Sequence, residues 1–326
     1  MATVTITQLP NSNALTGSEV LPIVQGDVTV QTTVQSIANL AGLSGTNFIY
    51  VAADGTDTEN ATELSTAYTT AKTMSPSATN RITIIASPGN YNFGSTIFEL
   101  DTAYIDLVSL DGNRSVIFNA PLVGPTYPNY WLGSIAISAN NVYLKGVDVL
   151  TKGLIFSPNL TSVVIENSKG GSNFISYDPD NFASNQSLSG TFIDCECTGI
   201  EGFYSFGILS GTFINCKGGN NSFSGYYTID NAVFENCEGG DYCFQSNKNY
   251  NSAVYTNCVS GQGSFQGNGG EIASVCTNCT GDLLSFSNAF KLYYCRLTSG
   301  TFGSIFGDGV TVLCIDGNNT INTQNT

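Results

Sequence analysis

The chain has 326 residues, with Lys+Arg 10 against Asp+Glu 25, a formal net charge of −15 and no histidine. That balance argues against binding nucleic acid or anionic membranes, and the missing imidazole removes His-activated nucleophiles and most zinc and haem sites. Only 11% of residues are charged, so the surface must be mostly Asn, Ser, Thr, Gln and Gly, which suits a stable extracellular particle or a glycan contact.

In chain order, residues 1–45 read as a small unit of their own. A turn at Pro10–Asn13 precedes two short strands, Val20–Val24 and Val28–Thr32, with Gly26-Asp27 between them and a short helix over Val34–Leu40. Taken alone, this is a small hairpin that caps or links. Gly42–Asn47 reads as a linker. Within 46–80, Asn60 and Glu63 have the N-cap and N3 spacing of a helix start, and Leu64, Ala67, Tyr68 and Ala71 form one apolar face. A helix there would cover the open strand edge of whatever follows.

From residue 81 onward the pattern is short strands. Ile82 and Ile84 lead into the turn Pro88-Gly89-Asn90-Tyr91, and strands follow at Leu107–Leu110 and Val116–Asn119. A break at 121–133 holds the only Trp, Trp131, with Tyr127 and Tyr130. Such rings either stack on sugars or pack the loop against the coils or a neighbouring subunit. Leu144–Val147 matches Ile165–Ser168 at an interval of 21, and the next interval is 27, so the second of these coils carries an insertion. The insertion lies within 172–189 and contains Asp178 and Asp180, which either chelate a cation, flank a glycosidic bond, or form a solvated turn.

Residues 190–281 then repeat. Cys195, Cys216, Cys237, Cys258 and Cys279 recur at that same interval of 21, each preceded by Asp194, Asn215, Asn236, Asn257 or Asn278. Phe192, Phe213, Phe234, Tyr255 and Cys276 form a second column, and Phe223, Phe244, Phe265 and Phe286 a third. A fixed period of this size marks a solenoid. The unit is rich in Thr, Val, Ile and aromatics and broken by Gly, Asn and Ser, which excludes helical repeats, and Leu is too rare for leucine-rich ones. A parallel β-helix remains, in which residues one coil apart touch at about 4.8 Å. Stacked rings fill the interior, Asn suits a left-handed bend, and Cys acts as a small apolar residue. All ten Cys lie between 195 and 314. Stacked side chains point the same way, a poor disulfide geometry, so free buried thiols are expected. Beyond Cys279 an interval of 18, through Leu297 and Ile315, is expected. The whole amounts to about ten to twelve coils, roughly 50–55 Å of rod.

The column Asn215, Asn236, Asn257, Asn278 with its preceding aromatics resembles the asparagine ladder of pectate-lyase-like right-handed parallel β-helices. The opening, a helix then a strand then Pro88-Gly89-Asn90-Tyr91, is similar to phage members of that group. Gln8-Leu9-Pro10, Leu15-Thr16-Gly17, Glu19, Pro22–Gln25 and Val28–Thr33 resemble the N-terminal virion-attachment segments of bacteriophage tail fibres. The resemblance implies an all-β, single-stranded solenoid. Residues 1–45 would form a virion-attachment segment, 46–80 a linker and capping helix, and 81–326 a right-handed parallel β-helix. It implies a virion structural protein, a tail fibre or tailspike-like appendage adhering to host-surface glycan. Such a chain would be a homotrimer bound to other virion proteins through 1–45 and assembled in the host cytoplasm. A polysaccharide depolymerase tailspike and a capsid decoration or tail adaptor without ligand stand as alternatives.

No catalytic residue, cofactor or metal site is expected. The NTD, DD, GHG and RIK motifs of the pectic enzymes are absent, and Arg81, Arg114 and Arg296 are the only arginines. Glu196, Lys217 and Glu238 share a column and read as an alternating charge ladder, worth about 0–1 kcal/mol per pair. The ligand-binding candidates are therefore Tyr127, Tyr130, Trp131, Asp178 and Asp180. No signal peptide and no apolar run of membrane length is seen, so synthesis and assembly in a cytosol are expected, without membrane insertion.

Overall fold

The computed structural model describes residues 20–25, 28–33 and 47–324, except 120–133, 151–152, 158, 173, 178–186, 206, 247–250, 267–273, 283–284, 287–290 and 300–309. The chain divides into two compact units, 1–47 and 48–326. In the first, Val20–Gln25 pairs antiparallel with Val28–Thr33, each strand one residue longer than expected. The expected turn at Pro10–Asn13 and helix at Val34–Leu40 lie outside the described residues.

A strand, Asn47–Val51, begins at the last residue of the first unit and runs into the second, where a helix, Asp57–Thr73, follows. Leu64, Ala67, Tyr68 and Ala71 are buried, as their spacing requires. The cap differs from expectation. Thr56 is the N-cap and Glu59 its N3 partner, with Thr56 N donating to Glu59 Oε2 at 2.8 Å and Glu59 N to Thr56 Oγ1 at 3.3 Å. Asn60, expected at the cap, is instead buried one turn inside. Its Oδ1 accepts from Gly55 N at 3.1 Å and its Nδ2 donates to Asn90 O at 3.0 Å. A side chain that matches a cap motif was recruited to tie the helix to the first turn of the coils.

From Ile82 the chain winds as a parallel β-helix. Its main face stacks eleven parallel strands, from Ile82–Ala86 to Val310–Ile315, within the ten to twelve coils expected. Ten steps give roughly 48 Å of stack. Leu144 pairs with Ile165, Ile165 with Phe192, and Phe192 with Phe213, Phe234, Tyr255 and Cys276 in turn, the registers read from the sequence. The last two coils depart from it. Thr277 pairs with Tyr293 and Tyr293 with Val312, intervals of 16 and 19 rather than 18. Leu297 stacks on Gly281 and Ile315 on Arg296. Tyr294 takes the corner held earlier by Asn, at φ 56, so the thiol column continues through Cys295 and Cys314. Matching aliphatic residues instead of this corner misplaces the register.

At that corner Asp194, Asn215, Asn236, Asn257 and Asn278 all have φ between 52° and 54°. Each Asn Nδ2 donates to the Oδ1 one coil earlier, at 3.0, 3.1, 3.0 and 2.9 Å along the column. The amide ladder is exposed on the outer wall. It begins at Asp194, whose carboxylate needs only to accept. The next residue turns inward. All ten Cys are free and buried. Cys216 and Cys237 donate to the carbonyls of Phe192 and Phe213 at 3.3 Å.

The interior of these coils is aromatic. Phe192, Phe213, Phe234 and Tyr255 stack at 4.8, 4.8 and 5.0 Å. Phe203, Phe223, Phe244, Phe265 and Phe286 stack beside them at 4.6–4.9 Å, starting one coil earlier than the sequence column suggested. The two stacks meet edge to face, for example Phe223–Phe234 at 5.8 Å. Phe223, Phe244, Phe265 and Phe286 sit in the left-handed region, φ 54–62°. That conformation costs about 1–2 kcal/mol per residue. Burial of each ring, at about 1.5–3 kcal/mol, with stacking at about 0.5–1.5 kcal/mol, offsets it.

Candidate functional site

The aromatic loop residues Tyr127, Tyr130 and Trp131 and the acids Asp178 and Asp180 lie outside the described residues. The described wall has a polar site of its own, on the first four coils.

In the strand Ile105–Ser109, Ile105 and Leu107 point into the core, so Asp106 must point out. It is nevertheless only 5% exposed. Arg81 covers it, with Nε 2.9 Å from Oδ2 and Nη2 2.5 Å from Oδ1. Tyr143 N donates to Asp106 Oδ1 at 3.0 Å, and Arg81 Nη2 also reaches Asn141 O at 3.0 Å. The guanidinium lies 5.7 Å from the Tyr104 ring centre. These donors offset the desolvation of a buried carboxylate. The hydrogen bonds to Asp106 push the Arg81 pKa up.

Tyr143 and Lys145 form the next layer. Tyr143 Oη donates to Glu166 Oε2 at 2.5 Å and Lys145 Nζ to Glu166 Oε1 at 2.6 Å. The Lys145 hydrogen bond first, then that of Tyr143, holds the Glu166 carboxyl below the usual glutamate range. Burial first, then the bond to Glu166, pushes the Tyr143 phenol up. Arg81, Asp106, Asn141, Tyr143, Ser162 and Val164 line a cleft of about 360 Å³.

This cleft can bind but is poorly built to cleave. Glycoside hydrolysis needs one carboxyl that holds a proton near neutral pH and a second on the other side of the bond. Glu166 is held ionised, and the oxygens of Asp106 are taken by Arg81 and Tyr143 N. The Glu201 carboxyl is pushed up, and burial alone does it, with no neighbouring charge contributing. A second carboxylate close enough to share catalysis would add such a charge. Among the described residues no group of three His, Cys, Asp or Glu is placed to hold a metal. No helix among them is long and apolar enough to cross a membrane.

The thiols are no better suited to chemistry. Burial pushes Cys216 and Cys279 well up, and Cys237 likewise. Cys258 is pulled down by hydrogen bonds from Cys237 and Cys279 while burial raises it. Its surroundings repeat those of Cys216 and Cys237, so burial sets its direction too, upward. Neutral, buried thiols are not nucleophiles.

On the second face, Glu196, Lys217 and Glu238 bridge coil to coil as expected. Lys217 Nζ pairs with Glu238 at 3.0 Å, but Glu196 pairs with Arg114. Arg114 also donates to Asn167 Oδ1 at 3.1 Å and Asp194 O at 2.7 Å, so it clamps the head of the amide ladder. The polar site on the first coils was missed in the sequence. Its one signal was an Asp at an outward position between Ile105 and Leu107, one coil after an Arg. Comparisons of the chain with models of protein families, with curated proteins and with solved structures find no match.

Proposed function

We propose that this chain is a structural protein of a bacteriophage virion, a tail fibre or tailspike-like appendage that adheres to host-surface glycan. The observation that carries the reading is the two-unit plan: a hairpin segment of residues 1–47 that is compact by itself, ahead of a parallel β-helix. The hairpin falls on the residues that resemble phage attachment segments, and it would bind other virion proteins. A β-helix bonded strand to strand over eleven coils supplies a stiff rod whose outer wall is free to vary. The sparse charge and abundant Asn, Ser and Thr favour sugar contacts over nucleic acid or anionic membranes. Adhesion is favoured over cleavage because the oxygens of Asp106 in the cleft, and of Glu166 beside it, are already engaged by Arg81, Tyr143 and Lys145. Side-by-side association as a homotrimer belongs to the same reading.

Immunogold electron microscopy of purified particles, with antibody against the β-helix, tests it. Label at the tail is the expected result. Label on the capsid shell would favour a decoration protein, and absence from the particle would end the virion reading. Release of oligosaccharides from host polysaccharide by the purified protein would favour a depolymerase.

A further inference from the structure

The coils turn at a second corner, where one residue on each of four coils is left-handed: Glu201 (φ 56), Asn221 (φ 56), Tyr242 (φ 56) and Gly263 (φ 67). Glu201 N donates to Asn220 O at 2.8 Å, Asn221 N to Asp241 O at 2.9 Å and Tyr242 N to Gln262 O at 2.7 Å. These bonds place the four on adjacent coils, in line, at steps of about 4.8 Å.

Gly and Asn take this conformation readily; Glu and Tyr do not. Phe223, Phe244 and Phe265 share similar φ, but they are buried and stacked. Tyr242 is 45% exposed. Its Cδ1 and Cε1 lie 2.7 Å from where a Cβ on Gly263 would stand, so the glycine makes room for the ring. Glu201 is half-buried, and neither its carboxyl nor the Asn221 amide has a hydrogen-bond partner among the described residues. Strain kept without a packing return is characteristic of functional positions. Tyr294 is strained and exposed too, but the side chain one coil before it, Asn278, donates its amide to Asn257.

The geometry points to a binding ridge for an uncharged sugar chain, with one ring on Tyr242 and hydroxyls bonded to the Asn221 amide and the Glu201 carboxylate. It rests on the adhesin reading and adds to it a ligand class and three residues. An exposed aromatic face with polar groups one sugar-width away suits a pyranose, whose faces are apolar and whose edges are hydroxyls. Glu201, the nearby Asp241 and the net charge of −15 disfavour acidic glycans.

The test is binding of the full chain to an array of neutral and acidic bacterial polysaccharides, repeated with Tyr242→Gly and Asn221→Gly. Both substitutions suit the left-handed corner. Binding to a neutral polysaccharide is expected, weakened about tenfold or more by Tyr242→Gly and less by Asn221→Gly, with no fall in Tm for Tyr242→Gly. The inference is overturned by binding only to acidic polysaccharides or to none, or by unchanged binding in Tyr242→Gly. A lowered Tm for that variant would also overturn it, because the ring would then be structural. Tail label with no such binding removes this inference alone, whereas label on the capsid shell removes the adhesin reading beneath it.

Discussion

The coils from Ile82 to Tyr177 fill their interior chiefly with Ile, Leu and Val, among them Ile84, Leu107, Ile135, Leu144 and Ile165. Those from Thr191 to Phe286 fill it chiefly with aromatics and Cys, with Leu209 and Ile229 among the few aliphatic side chains. In the first group the main-face pairs Ile84–Leu107, Leu107–Leu144 and Leu144–Ile165 are separated by unequal lengths of chain. From Phe192 to Cys276 every interval is 21. Aliphatic packing is non-directional, so a coil can lengthen outside the wall without disturbing it. Stacked rings and amide ladders are directional, and one slipped residue would break every pair above it. Strictness of period therefore follows from the kind of filling, while the backbone plan stays the same. Outside, the first group is held by buried or half-buried ion pairs and the second by exposed amides.

The largest effect expected from breaking this contrast is in the aromatic stack. Phe234 is fully buried between Phe213 and Tyr255. Phe234→Ala should cost about 3–5 kcal/mol in denaturant unfolding. A midpoint like that of the wild type would show that the stack is not the core. Next is the ion pair of the first coils, where Asp106→Ala leaves Arg81 half-covered without its partner. It should cost about 2–3 kcal/mol, less than a fully buried pair because Arg81 is one-third exposed. A loss below about 0.5 kcal/mol, typical of a surface pair, would contradict the burial of Asp106.

The pH dependence of Tm probes Glu166 on the same face. Its folded pKa is depressed, so its contribution is full above the unfolded value of about 4.3 and is lost as pH falls through the lower folded value. Between neutral pH and pH 3, Tm should therefore fall less steeply in Glu166→Gln than in the wild type. Parallel curves would remove Glu166 from the account.

The amide ladder should matter less than the core. Asn236→Ala, which loses two ladder bonds and puts a Cβ at φ 54 without a compensating amide, should cost about 1 kcal/mol. Asn236→Gly, which eases the corner, should cost only a few tenths, about the level of other Gly caps. Equal losses would mean that the hydrogen bonds, not the corner, set the effect. Smallest of all is Lys217→Met. Both partners of the Lys217–Glu238 pair are more than half exposed, so no change in Tm is expected at physiological salt. A clear drop would mean that the ladder of charges acts as a network.

Much of the fold was legible because in a solenoid the sequence period and the spatial contact are one thing. A residue one period on is the neighbour above, so Phe192, Phe213 and Phe234, the Asn corner and the buried thiols could be placed without coordinates. The helix face Leu64–Ala71 was legible for a similar reason, since its partners on the face follow from the helical repeat of about 3.6 residues per turn. The cap was not, because Thr56 and Asn60 both suit an N-terminus and only the docking of Asn60 on Asn90 separates them.

The candidate sites were legible only as residue types. Arg81 meets Asp106, and Arg114 meets Glu196 from 82 residues away, because the intervening coils have particular lengths. Those lengths are set by loops whose period is broken, so no repeat records them. Two coils of slightly different length bring Glu201, Asn221 and Tyr242 onto one corner, which no fixed period records. The sequence by itself determined the β-helix, its columns and its thiol-lined core, because each rests on a contact repeated at a fixed spacing. Only the tertiary structure decided which single side chains face one another on the outer wall, because those contacts occur once and depend on every coil length between them.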